Sequence, residues 1–368
     1  MSKIRGADTS ELLREVADFN AKIAAGIERL GGIKDEQVEI ATTPKDEVFR
    51  TDKVTLYRYR PLAKARIKTP VLIVYSLIGR HTMTDLQEDR SLVRNLLKQG
   101  VDLWVVDWGD PSRADRWLTI DDYVLGYLDD CVTAMQAETG AAKVGLLGIC
   151  EGGVFSLAYA ALDPDRVQHV VLTITPLDFH AGDDDEDGQQ GFINLWTRSL
   201  TPEDVDRMID VWGVLPGEFM GAVFSMLTPM RSLAKYNVEL LDVVDDETKL
   251  LTFLRMEKWL ADRPHHPGEA AKQWLKELYQ ENRLIKNSWD LGGRRVDLKN
   301  VTMPVLNIYA EADHIIPPPT VQALKGKVGT ADYTELGLRG GHIGMFVSSK
   351  SQGIVGKGIV DWLAERDA

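Results

Sequence analysis

Along Ser10 to Leu30, the apolar residues Leu12, Val16, Phe19, Ile23, Ile27 and Leu30 recur at three- and four-residue steps before Gly31-Gly32 breaks the rhythm. That spacing predicts an amphipathic helix over 10–30, packed on the core or on a partner. A more extended, charged stretch follows to Pro61. The pattern then changes to short unbroken apolar runs at Val71 to Tyr75, Leu103 to Val106, Val144 to Leu147 and Val170 to Ile174. These are the marks of strands buried on both faces, and helix-like segments lie between them. One such segment opens at Thr119-Ile120-Asp121-Asp122, where the threonine can cap and the acids sit in the positive first turn. The alternation predicts an α/β fold with a mostly parallel central sheet flanked by helices.

The strand rhythm stops near residue 181, where Asp183-Asp184-Asp185-Glu186-Asp187 forms an acidic tip. From there to about Asn287 the chain reads as helical and irregular, with Trp196, Trp212, Met220, Met226 and Met230. An interruption of roughly a hundred residues is far longer than an ordinary connection. It predicts a cap over 181–287 inserted into a core made of 1–180 and 288–368. The rhythm resumes with strands at Val305 to Tyr309 and Tyr333 to Leu336 and a closing helix at Ile354 to Glu365.

Chemistry enters at Gly148-Ile149-Cys150-Glu151-Gly152. An apolar strand precedes this G-x-nucleophile-x-G run and a helix-like Val154 to Leu162 follows it, the context of the nucleophile elbow of an α/β-hydrolase fold. Small neighbours let strand and helix approach, and the helix N-terminus favours a thiolate and supplies N–H groups to an oxyanion. A lone cysteine is more often a buried small hydrophobe. The glycine frame reverses that for Cys150, whereas Cys131, in mid-helix, is read as packing.

In this fold the acid and then the histidine follow the nucleophile, at the ends of later strands. Asp313, in Ala310-Glu311-Ala312-Asp313-His314, and His342, in Gly340-Gly341-His342-Ile343-Gly344, meet that order. His265 and His266, beside prolines, read as loop residues, and His314 as a neighbour of the site. The backbone of Glu151 is expected to be one oxyanion donor. The loop Ser76-Leu77-Ile78-Gly79-Arg80 should supply the other, with Ile78 as the donor and Arg80 either solvated or facing substrate phosphates.

Composition narrows the classes. The chain has 368 residues, 44% of them hydrophobic, which is enough for a large core. A net charge of −13 argues against nucleic-acid binding. Two cysteines exclude a disulfide framework and fit a reducing compartment. No histidine and cysteine spacing suggests a metal. With neither an apolar leader at the N-terminus nor a run of about 18 apolar residues, a cytoplasmic location without a transmembrane segment is expected. A thiol that accepts an acyl group from a thioester keeps it activated for a second nucleophile, so cysteine favours acyl transfer over hydrolysis.

The runs Asp85-Leu86-Gln87-Glu88-Asp89-Arg90-Ser91-Leu92, Asp107-Trp108-Gly109-Asp110-Pro111, Leu118-Thr119-Ile120-Asp121-Asp122-Tyr123, Gly148-Ile149-Cys150, Phe253-Leu254-Arg255-Met256-Glu257-Lys258-Trp259 and Gly340-Gly341-His342-Ile343-Gly344 together resemble the catalytic subunit of class III polyhydroxyalkanoate synthases, along nearly the whole chain. The resemblance implies polymerisation of 3-hydroxyacyl-CoA, first of all 3-hydroxybutyryl-CoA, into polyester with release of CoA. Cys150, Asp313 and His342 match the family triad, with His342 loading Cys150 and either His342 or Asp313 activating the elongating hydroxyl. No cofactor is implied, because the CoA thioester is the substrate. A second, helical subunit, a homodimer or hetero-oligomer, and the surface of cytoplasmic polyester granules are implied as partners and place.

Two departures touch the site: Glu151 stands where the family has glutamine, and Gly79-Arg80-His81-Thr82 replaces an asparagine, arginine, proline, tyrosine run. A charged Glu151 close to Cys150 would oppose a thiolate unless its side chain points away. The rivals are a cysteine-dependent hydrolase, either a thioesterase or dienelactone-hydrolase-like, and a non-catalytic granule-associated subunit.

Overall fold

In the computed structural model, residues 9–181, 191–226, 240–348 and 350–367 are described. The acidic tip at 183–187 and Met230 lie outside them.

Eight strands form the central sheet: β1 (Lys45–Thr51), β2 (Val54–Tyr59), β3 (Val71–Val74), β4 (Leu103–Asp107), β5 (Val144–Ile149), β6 (Val167–Thr173), β7 (Val305–Ala310) and β8 (Tyr333–Leu338). Their spatial order is β1-β2-β4-β3-β5-β6-β7-β8. From β4 to β8 neighbours run parallel, while β1 and β2 form an antiparallel extension at one edge. The chain passes outward from β3 to β4 and then returns to β5 on the other side of β3. The loops leaving β3 and β5 therefore diverge, which opens a crevice at their carboxyl ends.

Side-chain alternation divides the parallel strands between two cores. Leu72 and Val74, Trp104 and Val106, and Val144 and Leu146 join one; Val71 and Ile73, Leu103 and Val105, and Leu147 and Ile149 join the other. Both faces are covered, so these strands read as unbroken apolar runs. On the first face lie α3 (Leu128–Thr139) and α4 (Glu151–Leu162); all twelve residues of α4 are buried. On the second lie α2 (Leu92–Lys98) and the closing helix α9 (Ser351–Arg366).

The charged stretch before Pro61 holds the β1–β2 hairpin. Its alternation is blurred because β1 is an edge strand with no fully buried residue and carries an irregular register at Glu47 and Phe49. The N-terminal helix α1 (Thr9–Gly32) touches Val244 through Gly26 and Arg29, and Ile27 is exposed.

Between β6 and β7 the chain leaves the sheet for α5 (Phe192–Ser199), α6 (Pro202–Trp212), α7 (Gly217–Met226) and α8 (Glu247–Ala261). Trp196 and Trp212 both pack against Phe219. Two-residue strands, Val214–Leu215 and His266–Pro267, pair antiparallel within this region. The amides of Glu269 and Ala270 then bond the carbonyls of Arg116 and Leu118, fixing the segment to the core.

Candidate active site

Strand β5 is buried throughout and ends at Cys150, whose backbone turns to φ 54°, ψ −125° before α4 begins. A non-glycine residue there costs about 1–3 kcal/mol and is held only by its surroundings. Here the Cys150 amide bonds Thr173 O at 3.0 Å and the Gly153 amide bonds Cys150 O at 2.9 Å. The flanking glycines are demanded by close approach: a Cβ on Gly152 would meet the carbonyl of Val74, and one on Gly148 would meet the backbone of Gly153. The turn lifts Cys150 into a half-buried position, whereas Cys131 is fully buried and its thiol is pushed up to about 12 by desolvation and then by Asp130.

Asp313 lies just past β7 and His342 just past β8. The Ala312 amide bonds Gly340 O at 2.9 Å and ties the two loops together. Both oxygens of the Asp313 carboxylate accept hydrogen bonds. Oδ1 accepts from the amides of Ile315 and Ile316, both at 2.9 Å, and Oδ2 accepts from His342 Nδ1 at 2.7 Å. With Nδ1 so engaged, Nε2 is left for Cys150. Burial pulls the His342 imidazolium down, but the charge and hydrogen bond of Asp313, together with those of Cys150, outweigh it and raise the histidine to about 10. The structure thus brings Cys150, His342 and Asp313 together, with His342 between the other two. His314 is exposed.

Of the two expected oxyanion donors, Glu151 occupies the first position of α4, where a backbone N–H has no partner within the helix. The Ile78 amide donates to Ser76 Oγ at 2.9 Å in this conformation, so it is already engaged inside its own loop. The side chain of Glu151 turns away from Cys150. Its Oε2 accepts from Ser76 Oγ (2.9 Å) and from the Leu77 amide (2.8 Å), and Oε1 lies 2.9 Å from His266 Nε2. His266, read from the sequence as a loop residue, instead lies in the two-residue strand His266–Pro267 and is 2% exposed. Nothing in the His265-His266 spacing pointed to that partner, because the contact spans 115 residues of sequence.

Arg80 is engaged by the protein rather than simply solvated. Its guanidinium pairs with Asp110 and, at 2.9 Å, with Asp262, and its carbonyl accepts from Trp259 Nε1. The loop after β3 is thus fastened to the end of α8. Two buried tyrosines that the sequence reading passed over, Tyr75 and Tyr279, are raised by burial and then by the charge of Cys150. Among the described residues there is no cluster of three or more metal-ligating side chains, and no helix is long and apolar enough to cross a membrane.

A family profile described as the alpha/beta hydrolase fold matches residues 69–348, and one described as the N-terminus of poly-beta-hydroxybutyrate polymerase (PhaC) matches residues 34–96. The chain is 44% identical over 357 residues to the poly(3-hydroxyalkanoate) polymerase subunit PhaC of Synechocystis, covering 97% of this chain and 93% of that protein. It is 43% identical over 358 residues to the protein of the same name from Allochromatium vinosum, covering 97% and 98%. Among solved structures, the Paleococcus ferrophilus monoacylglycerol lipase aligns with 84% of this chain and 99% of its own at 16% identity and a TM-score of 0.48.

Proposed function

Given that the chain belongs to the PhaC family of poly(3-hydroxyalkanoate) polymerase subunits, on the α/β-hydrolase fold, we propose that it polymerises 3-hydroxyacyl-CoA, 3-hydroxybutyryl-CoA first, with Cys150 carrying the acyl chain and CoA released at each turn. The enzyme is an acyltransferase. The observation that carries the mechanism is the Cys150–His342–Asp313 alignment, with both Asp313 oxygens already bonded.

In loading, the Cys150 sulfur attacks the thioester carbonyl. The Glu151 amide meets the developing oxyanion, joined by the Ile78 amide once it lets go of Ser76. As the C–S bond to CoA breaks, His342 gives its proton to the leaving sulfur. Acylation removes the sulfur charge that helps to hold His342 protonated, so Nε2 becomes a competent base. In elongation, the 3-hydroxyl of a second acyl group gives its proton to His342 and attacks the acyl-Cys150 carbonyl; an ester bond forms and the sulfur leaves. Asp313, buried and with both oxygens bonded by two amides and the imidazole, orients and charges His342. No cofactor takes part, because the thioester supplies the driving force.

On the same proposal the chain works in the cytoplasm at the surface of polyester granules with a second, helical subunit, which the resemblance to class III synthases supports. The test is to incubate the purified chain, with and without that subunit, with 3-hydroxybutyryl-CoA, following CoA release and separating insoluble polyester from free 3-hydroxybutyrate. Polyester with CoA release is expected. Free acid alone would replace the proposal with a thioesterase.

A further inference from the structure

We infer that Glu151 and His266 are positioning residues for acyl transfer: a buried, charge-balanced pair that seats the strand His266–Pro267 on the nucleophile elbow and holds the loop after β3 in place beside Cys150. The inference deepens the acyltransferase function proposed above and rests on it.

Four observations carry it. Glu151 is 0% and His266 2% exposed, so neither keeps its charge solvated. The carboxylate has three donors around it from two separate parts of the chain: the Ser76 hydroxyl and Leu77 amide of the loop after β3, and the His266 imidazole. His266 Nδ1 lies 3.3 Å from Pro267 O while Nε2 faces Glu151, so both ring nitrogens meet oxygen acceptors, as a doubly protonated imidazole requires. Finally, His266 is itself anchored, through its register with Leu215 and through the amides of Glu269 and Ala270 on the core.

The consequence reaches the reaction in two ways. Ser76, held by Glu151, is the group that receives the Ile78 amide, so the carboxylate sets where that loop presents its N–H groups. The imidazolium also cancels the charge of the residue next to Cys150. A bare carboxylate there would oppose the thiolate, and a buried ion left without its partner is strongly unfavourable. Glutamine at both positions would keep hydrogen bonds of similar reach with no charge at all. Removing the cation should therefore harm the enzyme only while the carboxylate remains.

The experiment compares wild type, H266Q and E151Q/H266Q for CoA release from 3-hydroxybutyryl-CoA, with the unfolding midpoint of each measured. Expected is a fall in kcat of at least about tenfold in H266Q, with KM changed by less than about twofold, and recovery of most of that loss in E151Q/H266Q. H266Q at the wild-type rate would overturn the inference. So would a folded double variant no faster than H266Q, since the pair would then matter only as packing. If H266Q alone does not fold, the double variant decides: folded and above about a tenth of the wild-type rate supports the pair, and folded but slower overturns it. Failure of the polymerase proposal is visible separately, because a wild type that yields free acid still releases CoA and still reports on the pair.

Discussion

Two histidine–carboxylate pairs flank Cys150, and at the level of distances they are nearly alike: His342 Nδ1 to Asp313 at 2.7 Å and His266 Nε2 to Glu151 at 2.9 Å. They differ at the other ring nitrogen. In His342 it faces the sulfur, so the ring can exchange a proton with a reacting atom while Asp313 holds it in orientation. In His266 it meets the carbonyl of Pro267, and the ring is closed off. On the proposed mechanism the same chemical pair becomes a proton carrier or a clamp according to what the second nitrogen touches.

The comparison is broken most severely by removing the carrier. H342A is expected to lower CoA release about 10⁴-fold or more. D313N, which leaves the imidazole in place but offers an amide where a carboxylate stood, is expected to lose about 10²–10⁴-fold, with loading and elongation affected together. Single-turnover acylation and steady-state polymer formation, measured on the same variants, check both. A D313N defect confined to elongation would make Asp313 the base for the hydroxyl and contradict the orienting role.

A second, smaller effect sharpens the charge side of the comparison. His342 is raised in the folded protein from 6.5 to about 10. A raised value means that its stabilisation is fully present below pH 6.5 and is lost as pH climbs through about 10. Thermal or urea unfolding of wild type and H342Q should therefore show a stability gap that narrows between those limits. A gap that widens with pH would reverse the sign and with it the assignment of His342 as the cation beside Asp313.

The smallest effect is expected where the loop after β3 is fastened at its outer end. Arg80 pairs with two exposed aspartates, and such pairs contribute about 0–1 kcal/mol. R80A should shift the unfolding midpoint by only a degree or two, roughly, for a chain of this size. A large loss would mean that this tie, rather than Glu151–His266, seats the loop.

The two pairs also mark how far the sequence could be read. The first is written in order and setting: an elbow with glycines at Gly148 and Gly152, then an acid after one strand and a histidine in a glycine loop after the next. Each lies at a strand end that the apolar runs had already located. The parallel strands were legible because burial on both faces makes most of their residues apolar, with few polar interruptions such as His169 and Asn307. The β1–β2 hairpin was not, since an edge strand such as Lys45–Thr51 exposes charged residues and bulges at Glu47–Phe49. The second pair was illegible for another reason. Glu151 could be seen to be odd, but its partner lies in a two-residue strand whose position depends on how the inserted helices settle. His266 between prolines carries no periodic signal of burial, and the same holds for Arg80, whose partners Asp110 and Asp262 come from the loop after β4 and the end of α8.

The most direct measurement is peptide mapping by mass spectrometry after a brief mix of the chain with 3-hydroxybutyryl-CoA. A 3-hydroxybutyryl or oligomeric adduct on the peptide bearing Cys150, formed as CoA appears and absent from C150A, is the expected result. CoA release and polymer that persist in C150A, or an adduct carried elsewhere, would contradict the assignment of Cys150 as the carrier of the growing chain.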